Sequence, residues 1–98
     1  MKELDRAIHE PARLRVMMVL AGAEEADFNF LRSALGLTSG NLSAHLDRLQ
    51  KSGYIQIRKS FQGKMPKTEC RLTRAGSAAL AQYWKAIDAI RALDKRTP

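Results

Sequence analysis

The sequence predicts a mainly α-helical fold with one small antiparallel β-hairpin, an α+β architecture. Three features of the residue pattern carry this prediction. Apolar residues recur at helical spacing up to Gly53, alternate with polar residues just after it, and return to helical spacing after Thr73. With 98 residues, 45% of them hydrophobic, the chain can build one core but not two. We therefore expect a single domain, residues 1–98.

The first helix is predicted to begin at Pro11, because proline is tolerated in the first turn of a helix, where its missing N–H is not needed. This helix ends at Gly22. Before it, residues 3–9 are expected to form a short amphipathic turn with Leu4 and Ile8 on one side. The predicted apolar face of the helix consists of Leu14, Met17, Met18 and Ala21.

A second helix is predicted over the segment FLRSALG, after a polar loop GAEEAD and an extended Phe28. Asn29 is the expected cap at its start, since a side-chain oxygen can accept hydrogen bonds from the first free amides of a helix. Gly36 is expected to end it. Its predicted inward residues are Phe30, Leu31, Ala34 and Leu35.

The third helix is the most clearly patterned element of the chain. Thr38 or Ser39 can cap its start with a hydroxyl, and Gly53 is expected to stop it. One narrow apolar stripe is formed by Leu42, Leu46 and Leu49. The opposite face is small and polar, with Gly40, Ala44, Asp47 and Lys51 at its centre and Asn41, Ser43 and Arg48 on its flanks.

Only Leu37 and Thr38 separate the third helix from Gly36, so the two helices are predicted to form a helix-turn-helix arrangement. A helix whose outer face is small and carries amide and hydroxyl groups can be laid into the major groove of DNA. An ordinary amphipathic helix with a solvated outer face is the alternative interpretation.

The β-hairpin is predicted from the segment YIQIRKSF, where apolar residues alternate with Gln56, Arg58 and Ser60. The second strand is expected over TECRLT, with Cys70 and Leu72 on its inner side. Between the strands, the turn QGKMPK is too polar to pack against the core, so it should project into solvent or toward a charged ligand. The polar residues of this tip are Gln62, Lys64 and Lys67.

The last helix is predicted to follow the cap Thr73 and to run to Lys95, about 22 residues or about 33 Å. Such a helix is longer than a small domain needs, and its end would leave apolar residues in water. We therefore expect a homodimer; a helix that wraps its own domain is the alternative. The predicted dimer contacts are Leu4, Ile8, Tyr83, Trp84, Ile87, Ile90 and Leu93.

The net charge of +7 is unevenly placed along the chain. Residues 1–50 hold six basic and seven acidic residues, whereas residues 51–98 hold eleven basic and three acidic ones. Between Arg48 and Arg74, eight basic residues stand against the single acid Glu69. This concentration of positive charge is typical of a surface that contacts phosphates.

The sequence has no features typical of a disulfide-linked protein, a metalloprotein, an enzyme or a membrane protein. A single cysteine, Cys70, cannot form an intramolecular disulfide and is expected to be a small buried residue. Cys70, His9 and His45 are too few for a metal site, and no catalytic constellation or Gly-rich phosphate loop is found, so we expect neither an enzyme nor a cofactor. No membrane span or secretory signal is found, and a cytoplasmic protein is expected.

Taken together, the segments LGLTSGNLSAHLDRLQKSGYI, KSFQGKMPKT and RLTRAG resemble the stand-alone winged helix-turn-helix transcriptional regulators of bacteria and archaea, a MarR/ArsR-like group. The resemblance covers residues 9–80, and residues 81–98 would extend the last helix for dimerisation. It implies a homodimer that binds a specific duplex DNA sequence and represses or modulates transcription. The helix from Ser39 would enter the major groove, and the wing, residues 60–67, would reach the adjacent minor groove or backbone.

We expect the DNA contacts to come from Thr38, Ser39, Asn41, Ser43, Ala44, Arg48, Lys59, Gln62, Lys64 and Lys67. Asp47 departs from the resemblance, because relatives often carry a basic residue there. It could accept a hydrogen bond from a cytosine, pair with a neighbouring cation or lie just beyond the groove, and we favour the last. A winged helix that binds proteins through its C-terminal stripe, without DNA, is the alternative function. No effector can be named from the sequence.

Overall fold

The computed structural model describes residues 3–94, and within them the chain forms four helices and three strands. In chain order these are α1 (Pro11–Ala21), β1 (Ala26–Asp27), α2 (Phe28–Leu35), α3 (Ser39–Lys51), β2 (Ile55–Gln62), β3 (Met65–Leu72) and α4 (Arg74–Arg91). The predicted α+β fold, with two short helices before a hairpin and a long helix after it, is confirmed. Lys95, the predicted end of the last helix, lies outside the described residues.

The three strands form one antiparallel sheet in the order β1-β3-β2. In the β2–β3 hairpin, Ile55 faces Leu72 at the base and Gln62 faces Met65 at the tip. The turn is therefore only Gly63 and Lys64, and the positive φ of Gly63 (65°) is the kind that two-residue hairpin loops need. The second strand is thus longer than TECRLT, and the predicted turn QGKMPK was too wide.

Strand β1 was not predicted, since GAEEAD was assigned to a loop. Its two residues pair with the middle of β3, Ala26 with Cys70 and Asp27 with Glu69. Beyond Glu69 toward the tip, β3 has β2 as its only neighbour among the described residues. The outer half of the hairpin therefore projects from the body of the protein. A Cα radius of gyration of 15.5 Å, against about 13 Å for a compact domain of this size, agrees with projecting elements.

The leucine stripe of α3 is the centre of the core. Leu42, Leu46 and Leu49 are all buried and pack in one cluster with residues of every other helix. Each such burial stabilises the fold by about 1.5–3 kcal/mol relative to an exposed side chain. The predicted buried position of Cys70 is confirmed, and burial, followed by the charge of Asp27, raises the pKa of its thiol to about 11.

The start of α2 differs from the prediction. The helix begins at Phe28, one residue before the expected cap Asn29, because the Asp27 carboxylate accepts a hydrogen bond from the Phe30 amide at 3.1 Å. With this start, the inward stripe is Phe28, Leu31 and Leu35. The predicted inward residues Phe30 and Ala34 instead face solvent, and Phe30 is 56% exposed.

The predicted apolar sides of α1 and β2 were also wrong in part. The core side of α1 consists of Ala12, Val16, Met17 and Leu20, which leaves the predicted Met18 and Ala21 exposed. Phe61, predicted as part of the half-buried strand, is 74% exposed because β2 has already left the core at that point.

The N-terminal segment is fastened to the rest of the fold by side-chain hydrogen bonds. The Tyr54 hydroxyl donates to the Asp5 carboxylate, and the Nδ1 atom of His9 lies 2.8 Å from the Tyr83 hydroxyl oxygen. As a result Ile8 is fully buried and Tyr83 is only 4% exposed. Both were expected at a dimer interface, and both belong instead to the core of the single chain.

A close contact between α4 and the start of the hairpin sets the position of α4. Thr73 caps the helix by accepting from the Gly76 amide at 2.9 Å, while its own hydroxyl donates to the Gly53 carbonyl oxygen at 2.6 Å. This brings Gly76 against Tyr54 so closely that an added Cβ would lie 2.0 Å from the Tyr54 carbonyl oxygen. Only glycine fits at position 76.

We predict that Gly76→Ala lowers the free energy of unfolding by about 3 kcal/mol, because the methyl group forces α4 away from the backbone of Tyr54. Urea denaturation followed by circular dichroism measures the change. Gly40→Ala is the matched control, since the same methyl group meets nothing within 4 Å there. It should leave the stability unchanged or raise it by up to about 1 kcal/mol. Equal stability of Gly76→Ala and the wild type would contradict this account.

Candidate nucleic-acid interface

Helix α3 presents a small polar face to solvent because its leucine stripe anchors the opposite side. The hydroxyl of Thr38 caps the helix by accepting from the Asn41 amide at 3.1 Å. Thr38 is the cap, which decides between the two predicted candidates. The residues Ser39, Gly40, Asn41, Ser43, Ala44, Asp47, Arg48, Gln50 and Lys51 are all exposed. These residues form a surface that is open to a ligand and free of bulky side chains in its first turn.

The strand register sorts the hairpin residues onto two faces. Side chains alternate along a strand, so Ile57, Lys59 and Phe61 share one face of β2. Across the hairpin, Lys59 pairs with Thr68 and Phe61 pairs with Pro66. We call this side, with Ile57, Lys59, Phe61, Pro66 and Thr68, the groove face. Arg58, Gln62, Met65, Lys67 and Glu69 lie on the opposite face.

The outer flank of α3 and the groove face of the hairpin border one concave surface of about 560 Å³. From α3 it is lined by Ser43, Leu46, Asp47 and Gln50, from the hairpin by Ile57, Lys59 and Thr68, and from α2 by Phe28. The polar front of the helix and the base of the wing therefore lie on the same side of the chain. One extended ligand can contact both.

Ion pairs with acidic residues neutralise part of the predicted basic surface. Arg58 pairs with Glu69 at 3.2 Å and with Glu25 at 3.6 Å, and Lys67 pairs with Glu69 at 3.7 Å. Lys51 pairs with Asp47 at 2.9 Å on the surface of α3. The other five basic residues of the stretch 48–74, Arg48, Lys59, Lys64, Arg71 and Arg74, make no ion pair within residues 3–94, and Arg71 donates a hydrogen bond to the Gln56 side chain at 2.9 Å.

Glu69 is the acidic residue that pairs with Arg58 and Lys67 on the face of the hairpin opposite the groove face. A hydrogen bond with Glu25, followed by contacts with Arg58 and Lys67, holds the pKa of the Glu69 carboxyl below its ordinary value. Glu69 thus stays ionised and neutralises cations on that face. Lys67 and Gln62, both predicted to contact DNA, lie on this side, and Lys67 already has an acidic partner. In the outer half of the hairpin, the cations without an acidic partner within residues 3–94 are therefore Lys59 on the groove face and Lys64 at the tip.

The predicted residues Asn41 and Arg48 are exposed but do not line the concave surface. They lie on the other flank of α3, the one that carries His45. The Nδ1 atom of His45 is 3.3 Å from the Arg13 guanidinium and 3.5 Å from the Glu10 carboxylate. His45 therefore connects α3 to the start of α1.

Gln50 and Thr68 were not predicted as members of this surface. Gln50 follows the last leucine of the stripe and resembled any solvated helix residue. Thr68 is placed by the register of the hairpin, which the six-residue turn prediction obscured. Asp47 lines the surface and pairs with Lys51, so the structure favours the second of its three predicted roles. Two exposed residues form this pair, so it stabilises the helix only slightly.

Within residues 3–94, no three His, Cys, Asp or Glu side chains gather closely enough to hold a metal ion. No helix in the same range is long and apolar enough to cross a membrane.

This geometry, a helix-turn-helix followed by a projecting hairpin, defines a winged helix. The chain belongs to the winged helix DNA-binding domain family, whose family model matches residues 12–90. The match includes both helices of the helix-turn-helix, the whole hairpin and nearly all of α4. Since this is a family of DNA-binding domains, the chain is not an enzyme.

Two other proteins are similar to the chain over most of its length. The chain is 35% identical over 71 residues to an uncharacterized protein from Methanocaldococcus jannaschii, covering 72% of this chain and 77% of that one. A transcriptional regulator homologue from Pyrococcus horikoshii has a similar structure, with a TM-score of 0.84 and 27% identity over 92% of this chain and 90% of that one.

The same fold occurs in a mutant of MarR from E. coli solved with operator DNA, with a TM-score of 0.66 and 24% identity over 76% of this chain and 52% of that one. It also occurs in a possible transcriptional regulator for arsenical resistance, with a TM-score of 0.70 and 23% identity over 94% of both chains. These two structures share the fold, and the winged helix-turn-helix DNA-binding domain that was predicted from the sequence is confirmed by the family match.

Proposed function

We propose that this protein is a cytoplasmic transcriptional regulator that binds a specific double-stranded DNA sequence as a homodimer and represses transcription from it. The observation that carries the proposal is the shared concave surface on which α3 and the hairpin meet. A duplex that enters this surface can contact the front of α3 in its major groove and the wing in the next minor groove. Repression follows if the bound protein blocks access to the same DNA.

Helix α3 is the proposed recognition helix. Its exposed amide and hydroxyl side chains, on Asn41, Ser43 and Ser39, are the groups that hydrogen-bond to base edges or phosphates. Ala44 offers a methyl group that can contact a thymine methyl. Gly40 and Ala44 at the outermost positions let the helix backbone approach the floor of the groove. Thr38, whose hydroxyl oxygen caps the helix, can still donate that hydroxyl to a phosphate.

The free cations supply the attraction to the DNA backbone. Lys59 stands at the border of the concave surface and Lys64 at the tip of the hairpin, while Arg48 extends from the other flank of α3. None of the three is neutralised by an acid within residues 3–94. They are placed to contact phosphates on either side of the recognition helix. Lys67 and Gln62 are secondary candidates, because they lie on the opposite face of the hairpin.

The distal part of α4 is the proposed dimer surface. Trp84 is 37% exposed, Ile90 40% and Leu93 61%, and Ile87 is half-buried. Trp84, Ile90 and Leu93 extend the apolar side of α4 beyond the core of one chain, whereas Ile87 and the predicted contact Leu4 are partly buried against that core. A second copy that packs on this surface removes it from water and gives the two recognition helices the two-fold symmetry of a palindromic site.

The experiment that tests the function is the salt dependence of duplex binding, measured by fluorescence anisotropy with a duplex obtained by binding-site selection. A dimer with about six phosphate contacts should lose about 1000-fold in affinity between about 50 and 200 mM salt. An affinity that hardly responds to salt, or no binding to any duplex, would favour the alternative of a protein-binding module.

We predict that Lys64→Ala weakens binding to all duplexes about equally and lowers the slope of log affinity against log salt by about 1 per subunit bound. The reason is the loss of a phosphate contact that carries no sequence information. Lys67→Ala is the matched control, because Lys67 is paired with Glu69 and should change the slope less. A Lys64→Ala protein with the wild-type slope would contradict the role of the tip.

A change at the recognition helix should act differently. We predict that Asn41→Ala alters the preferred sequence, with a loss of about 1–3 kcal/mol at one base pair if the contact is bidentate. Repeating the binding-site selection with the variant measures this. The same preferred sequence from both proteins would exclude Asn41 from base recognition and leave it at most a backbone contact.

For the dimer, we predict that Ile90→Glu combined with Leu93→Glu gives a folded monomer, because two charges would be buried without partners in the interface. Sedimentation velocity gives the state of association, and circular dichroism verifies the fold. Lys85→Glu is the control, since Lys85 is exposed on the side of α4 opposite its buried residues and the substitution changes the net charge by the same amount as the double variant. It should leave the dimer intact. A double variant that still sediments as a dimer would refute this interface.

A further inference from the structure

An aromatic side chain stands exposed on the hairpin, in the middle of its positive charge. Phe61 is 74% exposed and pairs across the hairpin with the exposed Pro66. Both lie on the groove face. Phe61 is two residues beyond Lys59, which lines the concave surface, and three residues before Lys64 at the tip.

The fold itself makes little use of this ring. Phe61 is not among the residues that pack in or against the core, and β1 ends before the outer part of the hairpin, so no third strand covers it. A polar residue could pair with Pro66 equally well and would avoid leaving a phenyl ring in water. Isolated exposed apolar residues are common, so exposure alone assigns no function. What distinguishes Phe61 is its place between two free lysines on the face that borders α3.

A partner for this surface must offer an apolar slot between negative charges. The minor groove of DNA has this chemistry, because its walls are deoxyribose rings and its rims are phosphates. Proteins that bind there insert apolar side chains between base pairs, and the DNA bends in response. The lysines on either side of Phe61 would lie at the phosphates while the ring points into the groove.

We propose that Phe61, supported by Pro66, enters the minor groove next to the recognition-helix site and partly unstacks one base step. This inference rests on the proposed function and adds to it a residue that determines specificity. The cost of unstacking is lowest at pyrimidine–purine steps, so the wing should favour such a step at a fixed distance from the sequence contacted by α3.

The test compares Phe61→Ala with Met65→Ala. Met65 is 70% exposed and also lies at the end of the hairpin, but on the opposite face. Each substitution removes an exposed apolar side chain near the tip. We expect Phe61→Ala to lose on the order of tenfold in duplex affinity with an unchanged salt slope, since a neutral ring releases no counterions. Met65→Ala should stay within about twofold of the wild type.

Two further measurements test whether the ring of Phe61 lies in the minor groove beside the site of α3. Binding-site selection with Phe61→Ala should lose the preference for a flexible step while keeping the central sequence. Hydroxyl-radical footprinting, which reports minor-groove protection, should show weaker protection at the flanks only. Thermal unfolding of Phe61→Ala should match the wild type because the ring is outside the core, and Phe61→Tyr should retain most of the affinity because the aromatic wedge remains.

The outcomes separate this inference from the proposed function. If the wild type binds a selected duplex and Phe61→Ala binds it equally well, the wedge is refuted while DNA binding stands. Equal losses for Phe61→Ala and Met65→Ala would also refute it, as would a Phe61→Ala protein that dissociates into monomers, which would assign the ring to a second copy of the chain. Failure of the wild type to bind any duplex overturns both proposals.

Discussion

The burial of Leu42, Leu46 and Leu49 is the interaction on which the rest of the structure depends. These side chains fix the rotation of α3 about its own axis, and thereby decide which residues of the helix meet solvent. The same packing holds β2 beside α3, so the hairpin leaves the core next to the polar face of the helix. Loss of the stripe would therefore disturb stability and the binding surface together, whereas changes on the outer face leave the fold intact.

A second constraint is the separation of charge across the hairpin. Glu69 and Glu25 hold Arg58 and Lys67 on one face, and this leaves Lys59 and Lys64 free on the groove side and at the tip. A uniformly basic hairpin would attract DNA from any direction. Pairing Arg58 and Lys67 gives the outer half of the hairpin a preferred side, which is the side that borders α3, while Arg71 at the base of the other face is hydrogen-bonded to Gln56 and makes no ion pair within residues 3–94. The exposed ring of Phe61 lies on that side as well.

The sequence predicted the elements whose pattern is local and missed those that depend on distant partners. The leucine spacing of α3 and the caps Thr38 and Thr73 are local signals, and the structure confirms them. Strand β1 is two residues long and exists only because β3 lies beside it, so no local pattern could reveal it. Asp27, which caps α2 in place of the predicted Asn29, belongs to β1, so its position also depends on the pairing of β1 with β3. Ile8 and Tyr83 show a further limit, since an apolar residue looks the same whether its own chain or a partner covers it.

The central claim is that one duplex contacts the front of α3 and the groove face of the hairpin at the same time. Amide chemical-shift mapping by NMR, on titration of the protein with a selected duplex, tests this most directly. The account predicts joint shifts at residues 39–44 and 59–64, with little change on the hairpin face around Glu69. Shifts confined to the distal part of α4, or to only one of the two segments, would contradict it.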